Sequence, residues 1–310
     1  MERNKAPLVS YCVFCYNQEK FIEEALQSAF NQTYDNLEII ISDDCSTDST
    51  FYLIESMVAS YKGSHKIEVN RNPHNLGVSA HFNYVMNNLV NGEVVMLSAG
   101  DDIAFNNRTS KSIKLLIDHD LNTITFNGKY INQDGNLLNN NIFNKEEGMD
   151  IYTINNYING DKISVHGASR CFYKYVYDYF GPLNCDTPTE DTPLTLRSLL
   201  LGRIGNCYEP IILYRTHDKS LSGLSNLLKM DYTLISKQYR DDVRKIDNKY
   251  SSSIINKILK RINDYEIKSK LFRISFIELM NPLTLLSLLF TPLFSIREKL
   301  SIIKRTILKK

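Results

Sequence analysis

Two adjacent carboxylates follow an apolar run in the first third of the chain. Val94 to Leu97 has the pattern of a buried strand, and small residues end that strand before Asp101 and Asp102. Open α/β sheets bind ligands at the carboxyl ends of their strands, and adjacent carboxylates there repel each other unless a cation neutralises them. The pair therefore indicates a divalent-cation site or, in the plainer alternative, a solvated loop that caps the next helix.

Strand-like and helix-like segments alternate up to this pair. The predicted strands are Leu8–Phe14, Leu37–Ile41, Ile67–Val69 and Val94–Leu97, and apolar residues recur at helical spacing within 21–30, 51–61 and 78–90. This alternation predicts an α/β fold with a mostly parallel sheet flanked by helices. Asn17 is the predicted N-cap of the first helix. Asp43 and Asp44 end the second strand as Asp101 and Asp102 end the fourth, so both pairs should face one crevice.

Composition excludes several classes of protein. The 36 basic and 35 acidic residues give a net charge of +1, which argues against nucleic-acid binding. No G-x-G-x-x-G follows the first strand and no Walker A lysine loop is present, so a dinucleotide site or a P-loop is poorly supported.

The six cysteines lack framework spacing and the N-terminus lacks an apolar signal region, which predicts a cytoplasmic protein with free thiols. Cys12 and Cys15 should point to opposite faces of a strand, which favours packing over metal ligation.

Three segments resemble family 2 glycosyltransferases. Residues 10–50 contain the family's strand, Tyr-Asn, helix, Asn-Gln-Thr-Tyr and Asp-Asp-x-Ser-x-Asp, in that order. Residues 72–103 are similar to its Asn-x-Gly segment and the strand that bears its metal-binding carboxylates, and residues 190–222 to its Glu-Asp, Glu-Pro and Tyr-Arg-x-His series. The resemblance implies a GT-A fold over 1–222, with a nucleotide-binding half at 1–105 and an acceptor-binding half at 106–222.

The resemblance also implies a role for particular side chains. Asp191 would be the catalytic base; Asp102 and His217 would hold Mg²⁺ or Mn²⁺; Tyr16, Asn17, Asp44 and Asp101 would contact the nucleotide; Glu190, Arg215 and His166 would meet acceptor or phosphate. A positioned carboxylate is the residue type that can accept a proton from an acceptor hydroxyl.

Each of these residues also has a structural alternative. Glu190 or Asp191 would only cap the following helix, Arg215 would close a salt bridge, and the histidines would be packing or hydrogen-bonding residues. The sequence departs from the family at Phe82, where Arg is frequent, which leaves one phosphate contact unaccounted for. The Asn-rich stretch 136–144 is predicted to be a mobile loop.

The C-terminal region, 223–310, is predicted to be helical. Its apolar part, 271–294, is interrupted by Pro282 and Pro292, which argues against a membrane span. Basic residues then follow with a single acid among them. This arrangement fits docking of 271–310 on an anionic inner membrane, which would make the protein peripheral on its cytoplasmic face. The alternatives are packing on the catalytic domain and a homo-oligomer interface.

The resulting hypothesis is an inverting, metal-dependent glycosyltransferase. It would move a hexosyl or N-acetylhexosaminyl group from a nucleotide-sugar donor, expected to be UDP-linked, to a hydroxyl of a glycan or lipid-linked oligosaccharide in surface polysaccharide biosynthesis, O-antigen or capsule. Two other classes stay open at this point. One is a protein that binds nucleotide sugars or glycans without turnover, and the other is a nucleotidyltransferase, which is disfavoured because no Gly-rich loop with Arg and Lys follows Phe14.

Overall fold

The chain divides into two compact units, Met1–Ser220 and Leu221–Lys310. The computed structural model describes residues 6–145, 147–217, 230–246, 249–272 and 281–308. The assignment of 1–222 to catalysis and of 223–310 to a membrane-associating region stays a prediction.

The first unit begins with the predicted alternation of strands and helices. It contains β1 (Val9–Cys15), α1 (Ile22–Phe30), β2 (Leu37–Asp43), α2 (Thr50–Ser60), β3 (Lys66–Arg71), α3 (Val78–Asn88) and β4 (Val94–Ala99). It continues with β5 (Ile103–Ala104), α4 (Arg108–Asp118), β6 (Thr123–Ile131), β7 (Leu137–Asn141), β8 (Met149–Tyr152), α5 (Ile154–Asn159), a 3₁₀ turn (Gly167–Ser169), β9 (Cys171–Tyr173), α6 (Tyr175–Asp178), α7 (Asp191–Leu201) and β10 (Ile204–Arg215).

The strands form one sheet in the order β3-β2-β1-β4-β9-β6-β10-β5. The neighbours from β3 to β4 are parallel, as predicted. Beyond β4 the sheet is mixed, because β9 runs antiparallel to both β4 and β6, while β6 and β10 are parallel. The chain reverses its direction across the sheet between β1 and β4, which is the switch point where such sheets bind ligands.

The core lies on both faces of this sheet. Alternate residues of β1 contribute to separate apolar clusters, with Cys12 in the cluster that includes α3 and Cys15 in the cluster that includes α1. The predicted opposite orientation of the two cysteines is confirmed, and both are buried free thiols. Phe82, at the position where the family often has Arg, is 1% exposed and packs against Tyr177 with ring centroids 5.6 Å apart. It is therefore a core residue.

The predicted mobile loop at 136–144 is wrong, because β7 occupies 137–141 and pairs antiparallel with β6. The sequence signal misleads because asparagine has low strand propensity. What forms the hairpin is its turn, where the Asn132 side chain accepts hydrogen bonds from the N–H groups of Asp134 and Asn136 at 3.0 and 2.9 Å. Gly135 supplies the required left-handed backbone, with φ of 82°.

The second unit is helical over its described residues. It contains α8 (Tyr232–Arg244), α9 (Ser252–Phe272), α10 (Pro282–Phe290) and α11 (Ile296–Leu308). Arg240 of α8 pairs with Glu266 of α9 at 2.6 Å, and Leu288, Phe294 and Ile302 form a small apolar cluster. In the described parts of the chain, no helix is long and apolar enough to cross a membrane.

Candidate active site

The first part of the candidate site is the turn that follows β4. The Gly100 N–H donates to the Phe14 carbonyl of β1 at 2.9 Å, which fixes the turn against the neighbouring strand. A Cβ at this position would lie 2.4 Å from Oε1 of Gln18, so a larger residue would displace the Gln18 side chain. Asp101 and Asp102 follow directly, so they lie at the switch point of the sheet.

Asp102 is buried with an unsatisfied oxygen. Its side chain is 3% exposed, and Oδ1 accepts a hydrogen bond from the Arg215 backbone N–H at 2.9 Å. Within the described residues, Oδ2 is buried and accepts no hydrogen bond. Burial, and then the charge of Asp101, raise the pKa of Asp102 well above its usual range. A cation beside Oδ2 would satisfy this oxygen and favour the ionised form.

Asp101 and His217 lie side by side. Oδ2 of Asp101 is 3.0 Å from Nε2 of His217, whose ring packs on Phe21 with centroids 4.9 Å apart. No three His, Cys, Asp or Glu side chains in the described part of the chain converge as a metal-ligand set. Mg²⁺ and Mn²⁺ sites that serve phosphate transfer commonly use one or two carboxylates and complete the shell with water and substrate oxygens. The carboxylates Asp101 and Asp102 fit that kind of site.

Arg215 is engaged by the protein itself. Its Nη2 forms a salt bridge with Glu24, its Nε donates to the Asp101 carbonyl at 2.9 Å, and its Nη1 donates to the carbonyls of Asn132 and Gln133 at 3.3 and 3.1 Å. The side chain is 1% exposed. These contacts are those of the structural alternative, in which Arg215 fastens the Asp101 turn to α1 and to the β6–β7 hairpin. Its contact with phosphate stays a prediction.

The carboxylates after β2 are satisfied by local donors. Asp44 is 4% exposed and accepts hydrogen bonds from the Asn72 side chain at 2.7 Å and from the N–H groups of Leu76 and Gly77, both at 2.9 Å. Asp43 accepts from the Ser46 N–H at 2.9 Å. These contacts give Asp44 a structural role in holding the loop before α3, while its contact with a nucleotide base stays a prediction.

The loop after β1 contains the two other predicted nucleotide contacts. Tyr16 is 46% exposed, so its ring can stack on a ligand. Asn17 has a left-handed backbone with φ of 52°, its N–H donates to the Ser46 hydroxyl at 2.8 Å, and its Oδ1 accepts from the Thr47 N–H at 2.8 Å. The predicted N-cap role of Asn17 is wrong, because α1 begins at Ile22 and the Asn17 amide is used to join two loops.

The second part of the candidate site surrounds Asp191, the first residue of α7. Its carboxylate packs directly on Gly167 of the 3₁₀ turn, where a Cβ would lie only 1.7 Å from Oδ2 and 2.0 Å from Cγ. Arg170, which is 1% exposed, donates to the Asp191 carbonyl at 3.1 Å and to the Thr195 hydroxyl at 2.8 Å. Its Nε is 3.8 Å from Oδ1 of Asp191. The carboxylate is therefore held from two sides and still has 38% of its side-chain surface exposed.

The charge states of Glu190 and Asp191 are linked. Burial, and then the charge of Asp191, raise the pKa of Glu190 to about 8. Burial also raises the pKa of Asp191, while Arg170 and a hydrogen bond with Glu190 lower it. Glu190 is therefore mostly protonated at neutral pH and stabilises an ionised Asp191. Glu190 occupies the N-cap position of α7, and its side chain makes no capping hydrogen bond.

His166 precedes the turn that supports Asp191. Burial, and then the charges of Arg108 and Arg170, lower the pKa of His166 to about 4, so the imidazole is neutral at physiological pH. Its ring packs edge-on against Tyr214 with centroids 4.9 Å apart. Over the described residues, its buried Nδ1 has no hydrogen-bond partner. A neutral imidazole with an unpaired nitrogen can bind a sugar hydroxyl.

Strand pairing brings the two parts of the site to one edge of the sheet. Because β9 is antiparallel to β4, the turn before β9 lies at the carboxyl end of β4, where the Leu97 N–H donates to the Arg170 carbonyl at 3.0 Å. Arg108 reinforces this junction: its Nη2 donates to the Leu97 carbonyl at 2.5 Å and to the Ala168 carbonyl at 3.0 Å. The carboxylates after β4 and the support of Asp191 therefore belong to one continuous wall.

Two residues of this wall, Arg170 and Arg108, are absent from the roles inferred from sequence, and so is the contact by which Gly167 supports Asp191. Each acts through contacts between segments distant in the chain, and each is an ordinary residue type in its local sequence. The residue type alone does not show whether an arginine is buried or lies on the surface. The spacing of motifs therefore offered no signal for them.

The comparison with known families decides the class of this site. The model "Glycosyl transferase family 2" matches residues 10–180, more than half of the chain. The chain belongs to glycosyltransferase family 2. An uncharacterized glycosyltransferase of Haemophilus influenzae is 26% identical to this enzyme, over 98% of the chain and 97% of its own length. The putative glycosyltransferase EpsE of Bacillus subtilis is 32% identical over 37% of the chain, and that match spans only 41% of EpsE.

Solved structures agree with the family assignment in fold. S. aureus TarS 1–349 in complex with UDP-GlcNAc has a TM-score of 0.63 and 17% identity, covering 96% of this chain and 80% of TarS 1–349. The mannosyltransferase PcManGT of Pyrobaculum calidifontis in complex with GDP-Man and Mn²⁺ has a TM-score of 0.55 and 14% identity, covering 98% and 88% of the two chains. The glycosyltransferase has the GT-A fold, as the sequence resemblance implied.

The contact between Gly167 and Asp191 generates a testable prediction. Because the Gly167 backbone is not left-handed, alanine is compatible with its conformation, and the added methyl group must displace the Asp191 carboxylate. We expect Gly167→Ala to lower the sugar-transfer rate about 100-fold, the cost of moving a reacting group by about 1 Å. Two quantities are measured: kcat, which should fall, and the affinity for the nucleotide, which should not change.

The matched control for this substitution is the double variant with Asp191→Asn. If Gly167 acts through Asp191, adding Gly167→Ala to Asp191→Asn lowers the residual rate little further. Additive losses would contradict the positioning role of Gly167.

Proposed function

We propose that this glycosyltransferase moves a sugar from a nucleotide-sugar donor to a hydroxyl of a glycan or lipid-linked oligosaccharide with inversion of the anomeric carbon, in surface polysaccharide biosynthesis. The observation that carries the proposal is the seating of Asp191, an accessible carboxylate held by Gly167 and Arg170 on the wall that also carries Asp101 and Asp102. The acceptor class and the polysaccharide role rest on the sequence resemblance.

Asp191 acts as the general base in this proposal. It takes the proton of the acceptor hydroxyl while the acceptor oxygen bonds to the anomeric carbon and the bond from that carbon to the diphosphate oxygen breaks. The diphosphate leaves with the bonding electron pair from the face opposite to the attack, which inverts the centre. A carboxylate whose pKa lies above its ordinary value is a better proton acceptor than a free aspartate, and Arg170 keeps it ionised in the working pH range.

The donor occupies the switch-point crevice. Tyr16 offers an exposed ring for the base, while Asn17 and Asp44 shape the adjoining loops. A UDP-linked hexose or N-acetylhexosamine is the expected donor. TarS in complex with UDP-GlcNAc supports a UDP-linked donor, while PcManGT with GDP-Man is a relative in fold with another nucleotide.

A divalent cation is the proposed cofactor, held by Asp102 and Asp101 with His217 beside them. The unsatisfied buried Oδ2 of Asp102 supports this assignment, as does the Mn²⁺ in the PcManGT complex. When bound, Mg²⁺ or Mn²⁺ would neutralise charge on the departing diphosphate. Arg215 holds the Asp101–Asp102 turn in place: its Nε donates to the Asp101 carbonyl, and its backbone N–H donates to Oδ1 of Asp102.

The second unit is the proposed membrane-contacting region. Its α10 and α11 present large apolar side chains with exposed fractions of 74% for Leu283, 79% for Phe290 and 78% for Ile296. Leu286, Leu289 and Leu300 are exposed as well, and Arg297, Lys299 and Lys304 lie in the same segment. Apolar side chains next to cations fit a helix lying in the interface of an anionic bilayer. Peripheral association with a cytoplasmic membrane face follows from this proposal.

The proposed base is tested by the pair Asp191→Asn and Glu190→Gln. Asp191→Asn removes the proton acceptor while keeping its shape, so we expect transfer to fall by about 10²- to 10⁴-fold with nucleotide binding retained. Glu190→Gln should keep most activity near neutral pH, because Glu190 is mostly protonated there. Full turnover by Asp191→Asn would remove Asp191 as the base.

The pH profile provides a second test of the base. A base works only when ionised, so kcat/KM should be lost as the pH falls through the pKa of Asp191. Because that pKa is raised, the acid limb is expected above the ordinary aspartate value of about 3.9. An acid limb at or below that value, in an enzyme that stays folded by circular dichroism, would contradict the proposed environment of Asp191.

The proposed metal site is tested by binding. We expect Asp102→Asn to weaken Mn²⁺ binding in the presence of UDP by at least about 10-fold, measured by electron paramagnetic resonance. Asp35→Asn, on an exposed loop, is the matched control and should leave Mn²⁺ binding unchanged. Equal Mn²⁺ affinity in Asp102→Asn and the parent enzyme would rule out Asp102 as a ligand.

Membrane contact is tested with vesicles. Leu283→Ser combined with Phe290→Ser should reduce co-sedimentation with phosphatidylglycerol vesicles at least about 10-fold, since each buried apolar side chain contributes about 1.5–3 kcal/mol. Tyr52→Ser, at a 71% exposed position of α2, is the control. Unchanged partitioning of the double variant, or equal binding of the parent enzyme to phosphatidylcholine vesicles, would count against this surface.

A further inference from the structure

An open cavity lies in the predicted acceptor-binding half of the first unit. Its volume is about 410 Å³, within the range of small-ligand sites. The walls come from the segment after β7, from the segment before the 3₁₀ turn and from β10. Among the described residues that line it, the charged ones are Lys145 and Lys162. Ser164, Phe143 and Tyr208 lie beside them in the lining.

The wall that carries Lys145 is built by a buried asparagine. Asn127 is fully buried, and its side-chain amide donates to the carbonyls of Phe143 and Lys145 at 3.0 and 2.9 Å. Its Oδ1 accepts a hydrogen bond from the Phe143 N–H at 2.9 Å. Three hydrogen bonds with one core side chain thus fix the backbone of the segment from Phe143 to Lys145.

The Lys145 ammonium is also held in place. It lies 4.3 Å from the centroid of the Tyr208 ring and 3.1 Å from Oδ1 of Asp150. Asp150 is shared, because its other oxygen accepts a hydrogen bond from the Tyr208 hydroxyl at 2.6 Å. Lys145 is therefore a positioned cation whose charge is only partly compensated, since its ion pair is exposed to solvent.

Lys162 adds a second positive charge. It is exposed, and no carboxylate of the described residues lies within ion-pair distance of it. The neighbouring acid, Asp161, instead accepts a hydrogen bond from the Asn156 side chain at 3.0 Å. The described lining residues thus include two lysines and no carboxylate, and only Lys145 has an acidic partner, Asp150, which lies outside the lining. The excess of positive charge favours an oxyanion as the ligand.

The cavity is close to the proposed base. Ser164 lines it and is three residues before Gly167, on which the Asp191 carboxylate packs. Consecutive Cα atoms are about 3.8 Å apart, so the Cα atoms of Ser164 and Gly167 are separated by at most about 11 Å. His166 and Tyr214 lie along this path with their rings in contact. A glycan chain bound at Asp191 can therefore reach the cavity with its adjoining units.

We propose that this cavity binds an anionic group of the acceptor, a phosphate or a carboxylate, on a unit next to the sugar that carries the attacking hydroxyl. Lys145 and Lys162 neutralise the oxyanion, Ser164 donates a hydrogen bond to it, and the ring of Tyr208 or Phe143 covers the apolar face of the attached sugar. This proposal rests on the proposed function and narrows its acceptor class to acidic glycans.

The test is direct binding of small probes to the full chain, with the nucleotide site saturated by UDP. Glycerol 1-phosphate, glucuronate and neutral glucose are titrated by NMR. We expect one or both anions to bind and glucose not to bind. Lys145→Gln and Lys162→Gln should each weaken anion binding by about fivefold, the effect of removing one exposed charge partner. Lys114→Gln, at an exposed lysine paired with Asp118, is the matched control.

The outcomes separate the cavity from the catalytic proposal. Preference for glycerol 1-phosphate identifies a phosphodiester-containing acceptor, and preference for glucuronate a uronic acid. Glucose binding as tightly as both anions, or anion binding equal in both lysine variants and the parent, would overturn the proposal. Turnover by Asp191→Asn is measured in parallel, so a failure of the base assignment is seen independently of probe binding.

Discussion

The buried guanidinium of Arg108 is the interaction on which the site depends. It is fully buried, and one terminal nitrogen bonds the Leu97 carbonyl at the end of β4 and the Ala168 carbonyl in the 3₁₀ turn. The first contact fixes the strand that carries Asp101 and Asp102. The second fixes the turn on which Asp191 packs. A rigid planar donor can hold both carbonyls at once, which a flexible ammonium cannot do with the same geometry. Arg108 therefore helps to set the relative position of the proposed metal and base residues, together with the pairing of β4 with β9 and the Leu97–Arg170 backbone hydrogen bond.

Three buried arginines lie beside the carboxylates of the site and partly compensate their negative charge. Arg215 bonds the Asp101–Asp102 turn, Arg170 supports Asp191, and Arg108 lies between these two regions. A buried cation is costly unless hydrogen bonds and nearby charges compensate it. Here the compensation comes mainly from backbone carbonyls, so the carboxylate oxygens stay available. As a result, Oδ2 of Asp102 has no donor among the described residues, and 38% of the Asp191 side-chain surface stays exposed.

The sequence predicted the parts of the fold that depend on local pattern. The alternation of strands and helices up to β4 follows from apolar spacing, and it is confirmed. The antiparallel insertion of β9 between β4 and β6 was not predicted, because β9 is only three residues long and its place depends on partners far along the chain. Strand β7 was missed for a related reason: it is held against β6 by the turn at Asn132 and Gly135, while its own residues have low strand propensity. The contact between Asp191 and Gly167 is likewise a tertiary contact, and the spacing of sequence motifs does not predict it.

The two Asp-Asp pairs show what a motif leaves undecided. Both pairs lie at the carboxyl ends of apolar strands, β2 and β4. These strands flank β1 and run parallel to it, so the two pairs lie at the same edge of the sheet. Asp44 receives three hydrogen bonds from the loop before α3, and Asp43 is satisfied by Ser46 and Arg71, so this pair organises backbone. From the described residues, Asp102 receives one hydrogen bond, and its buried Oδ2 receives none. Identical dipeptides thus differ in the number of donors that the fold places around them. An oxygen without a protein donor in a buried position is stable only with a ligand or a proton, and this is why the second pair, and not the first, carries the metal proposal.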